Sequence, residues 1–539
     1  MLRLGAHALH GSVATILAAA FLVACDGRRY GTDAGTDGGP ADDARTPVDD
    51  AGPMDEDGGT EDGGRPPVGP SEPTDPAEVT RAGSGGLLLR GTVLAPEGPI
   101  DEGEVLIVGE EIRCVAESCA GEPDADTVTV VETNGVISPG LVDAHNHLTY
   151  DFLPEWEAPM LYDNRYTWAD ATAYEDHIAP FSDGRSSNDR ICPGAKWGEI
   201  RSLIHATTTV QGQSFNRSCL DRLARNADHH HQLGYDHMRT TIGSVRDITD
   251  DDAMSLVESF TDPTEPTTRY AVHMQEGVGG GNLLEEFESF AGRDSRSNRH
   301  MGTSLLAEDG MYAGVGLLIH SMSLTEAQLM EVLDTEAHVV WSPSSNLVLY
   351  GQTADIATML EMGISIGLGP DWTVSGEDEM LSEMRFAHEY GDAESIDALT
   401  PERIWRMATE GSADAVGLAD RVGRLAPGMA ADVAVFGRRG EDPYRAVLDS
   451  RAEDVRLVLV GGEGYYGDMN LETAAAVNGD CEVLDACGAP KFVCVANTPG
   501  STTSTARAEE TLEDVRGQLT DLLMGYGREE DLQALVACE

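Results

Sequence analysis

His145 and His147 stand two residues apart at the end of an apolar run, Ile137-Ser138-Pro139-Gly140-Leu141-Val142-Asp143-Ala144. On a β-strand, residues i and i+2 point to the same face, so two imidazoles placed there can bind one metal ion. Pro139 and Gly140 mark a sharp entry to that strand. Three more polar residues end apolar runs in the same way: His273 after Ala271-Val272, His320 after Leu317-Leu318-Ile319, and Asp371 after Leu368-Gly369-Pro370. Glu276 follows His273 by three residues. Three histidines, a carboxylate ligand and a second carboxylate nearby suit Zn²⁺ or Fe²⁺ and form a sensible hydrolytic site. The metal would lower the pKa of a bound water to roughly 7, and a free carboxylate could then move the proton.

Positioning such groups needs parallel strands. From Ile137 to about Leu418, apolar runs alternate with helical stretches, the pattern of βα units. Strands are predicted at Leu141–His147, Thr207–Gln211, Arg239–Gly243, Arg269–Met274, Val315–His320, His338–Trp341 and Ile364–Gly369. An eighth would complete a (β/α)8 TIM barrel, and the interval from Ser244 to Thr268 is where it is missing. In such barrels the C-terminal strand ends carry the chemistry. Ala398 to Leu418 reads as one helix, with Thr400 as N-cap, Pro401 at N1 and Gly417 as the stop. Short strands before the barrel (Leu87–Val93, Val105–Val108, Val128–Val131) and after it (Ala431–Phe436, Val455–Val460) predict one small β-sandwich built from both flanks, 86–136 and 422–467, around a barrel at 137–421.

The 539-residue chain has a formal charge of −58, which excludes nucleic-acid binding through phosphate contacts. Its N-terminus reads as an export leader over residues 1–24, with Arg3 ahead of the apolar run Val13–Ala24. Leu22-Val23-Ala24-Cys25 resembles a bacterial lipobox, which implies cleavage before Cys25 and lipidation of its thiol. Residues 25–85, rich in Asp, Gly and Pro, are expected to form a disordered tether between a membrane anchor and the enzyme. Of the nine cysteines, eight remain after Cys25, an even number that fits disulfides in an oxidising compartment. They fall into three groups: Cys114 with Cys119, Cys192 with Cys219, and Cys481, Cys487, Cys494 and Cys538 in the tail. Structural zinc is the competing reading for the tail, but no C-x-x-C pair is present. Residues 468–539 are expected to form a Cys-rich, partly helical appendage, with Leu512, Val515, Leu519, Leu522 and Leu523 at helical spacing.

Taken together, the motifs resemble the amidohydrolase superfamily. The resemblance runs from about Leu87 to Gly467 and rests on P-G-L-V-D-A-H-N-H at 139–147, H-M-Q-E at 273–276, His320, S-P-S-S-N-L at 342–347 and G-I-S-I-G-L-G-P-D at 363–371. It also includes L-T-P-E-R-I-W-R-M-A-T at 399–409 and G-R-L-A-P-G-M-A-A-D-V-A-V at 423–435. It implies a barrel with a flanking β-sandwich. It further implies that His145, His147, His273 and Asp371 are metal ligands and that Glu276 is the proton shuttle of the mononuclear deaminase and imidazolonepropionase branch. His320 would orient the substrate or the attacking water, and Asp371 would also accept from that water. Binuclear relatives carry a carboxylated Lys on a middle strand. Neither Lys196 nor Lys491, the only two lysines, fits that place, so one divalent metal is expected. Trp372 departs from the small polar residue common after the strand-end Asp. The long aromatic segment Asp151 to Ile191, with Trp156, Tyr162, Tyr166 and Trp168, is either a lid or pocket wall, or an insertion packed outside. His229, His230 and His231 read as surface residues, and Gly277 to Gly281 is no phosphate loop because no G-K-[ST] follows.

The expected function is therefore metal-dependent hydrolysis of non-peptide C–N bonds of a small molecule, by a deaminase-like enzyme using metal-activated hydroxide and anchored outside the cytoplasm. A cyclic-amide or acyl-amide hydrolase shares the same motifs. A non-catalytic surface-binding lipoprotein is the reading from another class. The substrate is not legible, because specificity lives in loops that vary freely on one barrel.

Overall fold

Eight short parallel strands among the described residues carry the polar residues of interest: β1 (Leu141–Asp143), β2 (Thr207–Val210), β3 (Arg225–Asn226), β4 (Met238–Thr241), β5 (Arg269–Met274), β6 (Gly316–His320), β7 (His338–Trp341) and β8 (Ile366–Leu368). The computed structural model describes residues 70–181, 188–212, 223–228, 237–241, 245–280, 283–293, 302–307, 310–477, 479, 481–496 and 509–538. The leader, Cys25, most of the tether, Cys219 and the histidines at 229–231 lie outside the described residues. No described helix is long and apolar enough to cross a membrane.

Strands β1 to β3 form one parallel sheet and β4 to β8 another. The seam between β8 and β1 is bridged by Ala144 N, which donates to Leu368 O at 3.1 Å, and by a parallel bridge between Asn146 and Asp371. Across the other seam Thr240 Oγ1 donates to Asp228 Oδ1 at 2.9 Å. The eighth strand is β3, ahead of β4. The interval from Ser244 to Thr268 holds the helix Asp250–Phe260 instead. Two residues of ladder leave no apolar pattern to read. Arg225 is buried there because its guanidinium forks onto Asp432, Nε to Oδ2 at 2.6 Å and Nη2 to Oδ1 at 2.9 Å.

The predicted helix over Ala398 to Leu418 starts as expected, with Thr400 accepting from Arg403 N and Pro401 at the first turn. It is not uniform. An α-turn run Pro401–Arg406 passes through a π-segment, Met407–Gly411, to Ser412–Ala415. The wider turn delivers Ser412 Oγ to β8, where it accepts from Leu368 N at 3.0 Å.

The two flanks pair with each other, but as one ten-stranded ladder rather than two separate sheets. Its central strand, Thr129–Pro139, pairs with Gly86–Ala95 on one side and Val433–Phe436 on the other. It runs directly into β1. Two boundaries need correction. The chain enters the sheet before residue 86: Glu78–Arg81 pairs with Thr129–Pro139, Ala77 is fully buried, and Ser71 Oγ donates to Asp449 Oδ2 at 2.8 Å. The Cys-rich tail also contributes to this sheet. Ala489–Val493 adds to the sheet edge beside Glu463–Asp468, because buried Lys491 finds Asp468 Oδ1 at 2.5 Å and Val455 O at 2.9 Å.

The helix Leu512–Met524 buries Leu512, Val515, Leu519 and Leu523, the stripe its spacing predicts. Near its start Lys196 Nζ, from the helix Asn188–Ile204, donates to Glu510 O at 3.0 Å. Three disulfides are described: Cys114–Cys119, Cys481–Cys494 and Cys487–Cys538. The last spans 51 residues and ties the chain end to the sheet edge. Loop-closure entropy for that span is worth about 4 kcal/mol. Replacing both Cys487 and Cys538 by Ser should lower denaturant-unfolding stability by roughly that amount. An unchanged unfolding midpoint would contradict a stapling role for the bond.

Candidate active site and metal centre

The chain bends at Ala144 and His145 after β1, and backbone hydrogen bonds hold both histidines at the sheet end. Asn146 N donates to Gln211 O at 3.0 Å and His147 N to Asp371 O at 2.7 Å. Asn146 turns its side chain the other way, onto Asp143 Oδ2 at 2.8 Å, as the strand alternation requires. His273 lies on β5, His320 ends β6, and Asp371 follows β8. Gln275, His320, Ser321 and Asp371 all adopt positive φ, between 45° and 74°. A non-glycine residue there is uncommon and strained, and at His320 and Asp371 it accompanies side chains that face the cluster.

The rings of His145, His147, His273 and His320 lie with neighbouring centroids 4.9 to 5.6 Å apart. Asp371 Oδ1 is 3.0 Å from His145 Nε2 and 3.3 Å from His147 Nε2. Candidate ligand atoms within 4.8 Å of one another form three overlapping sets: His145, His147 and His273; His145, His320 and Asp371; His273, Glu276 and His320. His145 Nε2, His273 Nδ1 and His320 Nε2 are buried without a hydrogen-bond partner. Buried polar atoms are rarely left unpaired. The short His145–Asp371 contact lacks hydrogen-bond geometry, so it does not satisfy the imidazole. Orphaned imidazole nitrogens converging beside a carboxylate fit a divalent metal of the zinc or ferrous type.

A second layer holds these rings. Gln211 Oε1 meets His145 Nδ1 at 3.3 Å, and Gln211 Nε2 donates to Asp228 Oδ1 at 3.0 Å. Asn346 Oδ1 meets His320 Nδ1 at 3.0 Å. An amide oxygen can only accept, so each Nδ1 carries the proton and each Nε2 presents its lone pair to the site. Ser345 Oγ donates to Asp371 Oδ2 at 2.7 Å. Burial would raise the Asp371 carboxyl, but its close contacts with the His145 and His147 imidazoles hold it well below the usual range. Burial pushes the His273 imidazole well down and His320 to about 3, the latter against the opposing charge of Asp371.

Glu276 ends the β5 turn with Oε2 3.6 Å from His320 Nε2. Its Oε1 accepts from Tyr350 Oη at 2.5 Å. Burial raises its pKa, with Arg165 opposing. The aromatic segment is a wall of the site. Arg165 N donates to Glu276 O at 3.1 Å, Tyr162 N to Leu349 O at 2.8 Å, and Trp156 N to Val374 O at 2.7 Å. Trp372 packs on His147 and Trp168 on Trp372, at 5.5 and 5.8 Å between centroids.

Comparison with known proteins places this geometry. The amidohydrolase family pattern matches residues 265–464. The 5-methylthioadenosine/S-adenosylhomocysteine deaminase of Desulforamulus reducens is 25% identical over 435 residues, covering 72% of this chain and 95% of that protein. The 5'-deoxyadenosine deaminase of Methanothermobacter thermautotrophicus is 24% identical over 417 residues, covering 72% and 94%. These matches support the amidohydrolase superfamily. The chain is a hydrolase acting on carbon–nitrogen bonds. An adenosine deaminase structure from Xanthomonas campestris with bound zinc aligns with a TM-score of 0.53 at 19% identity, covering 74% of this chain and 96% of that one. That likeness shows a TIM-barrel-type α/β fold.

In this hydrolase, His145, His147, His273, Glu276, His320 and Asp371 all meet at one end of the parallel strands. Sequence reasoning missed Gln211, Asp228, Ser345, Asn346, Tyr350 and Arg165. The run S-P-S-S-N-L at 342–347 was the available signal: its Ser345 and Asn346 are the partners of Asp371 and His320. Gln211 ends a predicted strand, but nothing in its surroundings points to His145.

Gln211→Ala should weaken metal affinity by about 10- to 100-fold, since the His145 ring loses its orienting partner. Competition against a chelator measures this, and unchanged affinity would remove Gln211 from the metal's support. A second test uses the depressed His320 pKa. The unfolded imidazole takes up a proton as pH falls below 6.5, while the folded one does so only near 3. This group's contribution to stability is thus complete above 6.5 and lost as pH falls toward 3. Metal-free parent protein should lose more urea resistance than His320→Gln between pH 7 and about 4.5. Equal losses would mean the folded imidazole is not held neutral.

Proposed function

We propose that the chain is a metal-dependent hydrolytic deaminase of small amino-substituted nitrogen heterocycles, with 6-aminopurine nucleosides as the first class to test. The observation carrying this reading is the convergence of orphaned imidazole nitrogens on a carboxylate, with a second, separately held carboxylate 3.6 Å from His320. The names of the relatives, deaminases of 5-methylthioadenosine and 5'-deoxyadenosine, support the substrate class.

His145, His147, His273 and Asp371 would hold one divalent ion, Zn²⁺ or Fe²⁺. When bound, such an ion supplies Lewis acidity and lowers the pKa of a coordinated water. Asp371, kept ionised by its imidazole neighbours, accepts a hydrogen bond at Oδ1 from the attacking water. Glu276 takes a proton at Oε2 and returns it to the departing nitrogen. Its raised pKa suits a group that must both take and give. His320, held neutral and with Nδ1 tied to Asn346, directs Nε2 at the reacting centre. Trp372, Trp168 and Tyr150 wall the site and exclude water, with Tyr150 and Trp372 centroids 5.3 Å apart. Export as a lipoprotein through Cys25 belongs to the same reading. The three described disulfides support an oxidising compartment.

Ammonia release from 5-methylthioadenosine, 5'-deoxyadenosine and adenosine, beside cyclic amides and acyl amides, tests the reaction class. Ammonia from no aminopurine, with turnover of a cyclic amide, would replace the deaminase reading. Glu276→Gln should keep stoichiometric metal and lose about 10²- to 10⁴-fold in kcat. Turnover near the parent rate would remove Glu276 from proton transfer.

A further inference from the structure

A single line of hydrogen bonds runs from the wall segment to the proposed proton carrier. Trp168 Nε1 donates to Tyr350 Oη at 2.7 Å, and Tyr350 Oη donates to Glu276 Oε1 at 2.5 Å. The direction is forced. An indole N–H can only donate, so the phenol oxygen accepts from Trp168 and its single proton has to point at Glu276. Tyr350 is buried at 3% exposure, so this proton has no solvent alternative. One carboxylate oxygen is thereby occupied, and the other, Oε2, is the one beside His320 Nε2.

The two ends of this line are pinned to each other. Trp168 lies on the helix Arg165–Ala169, whose cap residue Asn164 bridges to Gly277 directly after Glu276. Gly277 has a φ of +140°, and a Cβ there would sit 2.5 Å from Asn164 Cα. The glycine lets wall and turn touch. Val278 N donates to Asp163 O at 2.8 Å and locks the same contact. Tyr350 is itself set by its place as the last residue of the helix Pro343–Tyr350, which also carries Ser345 and Asn346.

We propose that Tyr350 is a positioning residue for Glu276, oriented in that role by Trp168, and that together they reserve Oε2 as the only oxygen able to exchange a proton with substrate. This rests on the reading of Glu276 as the proton carrier. It assigns a function to the aromatic insertion: the wall fixes the rotamer of the carboxylate as well as covering the site.

The test uses the full chain loaded with zinc, as parent, Tyr350→Phe, Trp168→Phe, the double variant and Glu276→Gln. Ammonia release from 5-methylthioadenosine gives kcat and KM, metal analysis gives occupancy, and a crystal structure of Tyr350→Phe gives the carboxylate position. Tyr350→Phe should lower kcat by about tenfold or more with KM within about twofold, at full metal occupancy. Trp168→Phe should lower kcat by less and add nothing to Tyr350→Phe, because both act through one hydrogen bond. The crystal structure should show Oε2 moved away from His320. A Tyr350→Phe carboxylate that has not moved overturns the proposal, and so does a kcat equal to the parent's or a full second loss in the double variant. The crystallographic arm decides even where this nucleoside is not turned over. Failure of the underlying reading is distinct: Glu276→Gln then stays active. An inactive Glu276→Gln with a parent-like Tyr350→Phe defeats only the positioning role.

Discussion

The structure depends on burying several polar side chains at one end of a parallel sheet without letting them satisfy one another. His145, His273, His320, Glu276 and Asp371 are each under 5% exposed. Desolvation works against a charge on every one of them. Three imidazole nitrogens have no partner, and the Asp371 carboxyl beside them is held well below its usual range by its contacts with His145 and His147. Such an arrangement is costly unless a cation offsets it, so the cost itself describes the ligand the site is built for.

Holding that arrangement takes more than strands. The positive φ values at Gln275, His320, Ser321 and Asp371 place strain at three strand ends at once. The helix Pro343–Tyr350 offsets it from one side, since Ser345, Asn346 and Tyr350 each bind a different member of the site. Gln211 and Asp228 do the same from the other side. The His145 and His320 rings therefore each have one nitrogen spent on orientation and one left for chemistry.

The outer parts of the chain reach the same centre. The tail, closed by Cys487–Cys538, lies against the wall segment: Gln533 N donates to Phe152 O at 2.9 Å, and Tyr526 packs on Phe181 at 5.0 Å between centroids. Gln533 Nε2 also donates to Asp378 Oδ2 at 2.8 Å, just past the strand-end Asp371. The sheet edge, tail and site wall thus form one continuous packing path.

By itself the sequence determined which residues could take part in the chemistry. Spacing placed His145 and His147 on one face, and apolar runs ended at His273, His320 and Asp371, because a two-residue alternation and a buried strand leave local traces. The flanking strands, the Thr400 cap and the tail helix stripe were legible for the same reason. Tertiary structure alone decided what is not local. Strand β3 is two residues long and stabilised by an ion pair to Asp432, 207 residues away. Residues 71–81 and 489–493 look polar or unpatterned, yet they join the sheet through partners hundreds of positions apart or on an edge that only folding creates. The aromatic segment had two readings until Trp168 met Tyr350 across 182 residues. A hydrogen bond between distant side chains leaves no period in the sequence, and so the residues that orient this site appear only when the chain is closed upon itself.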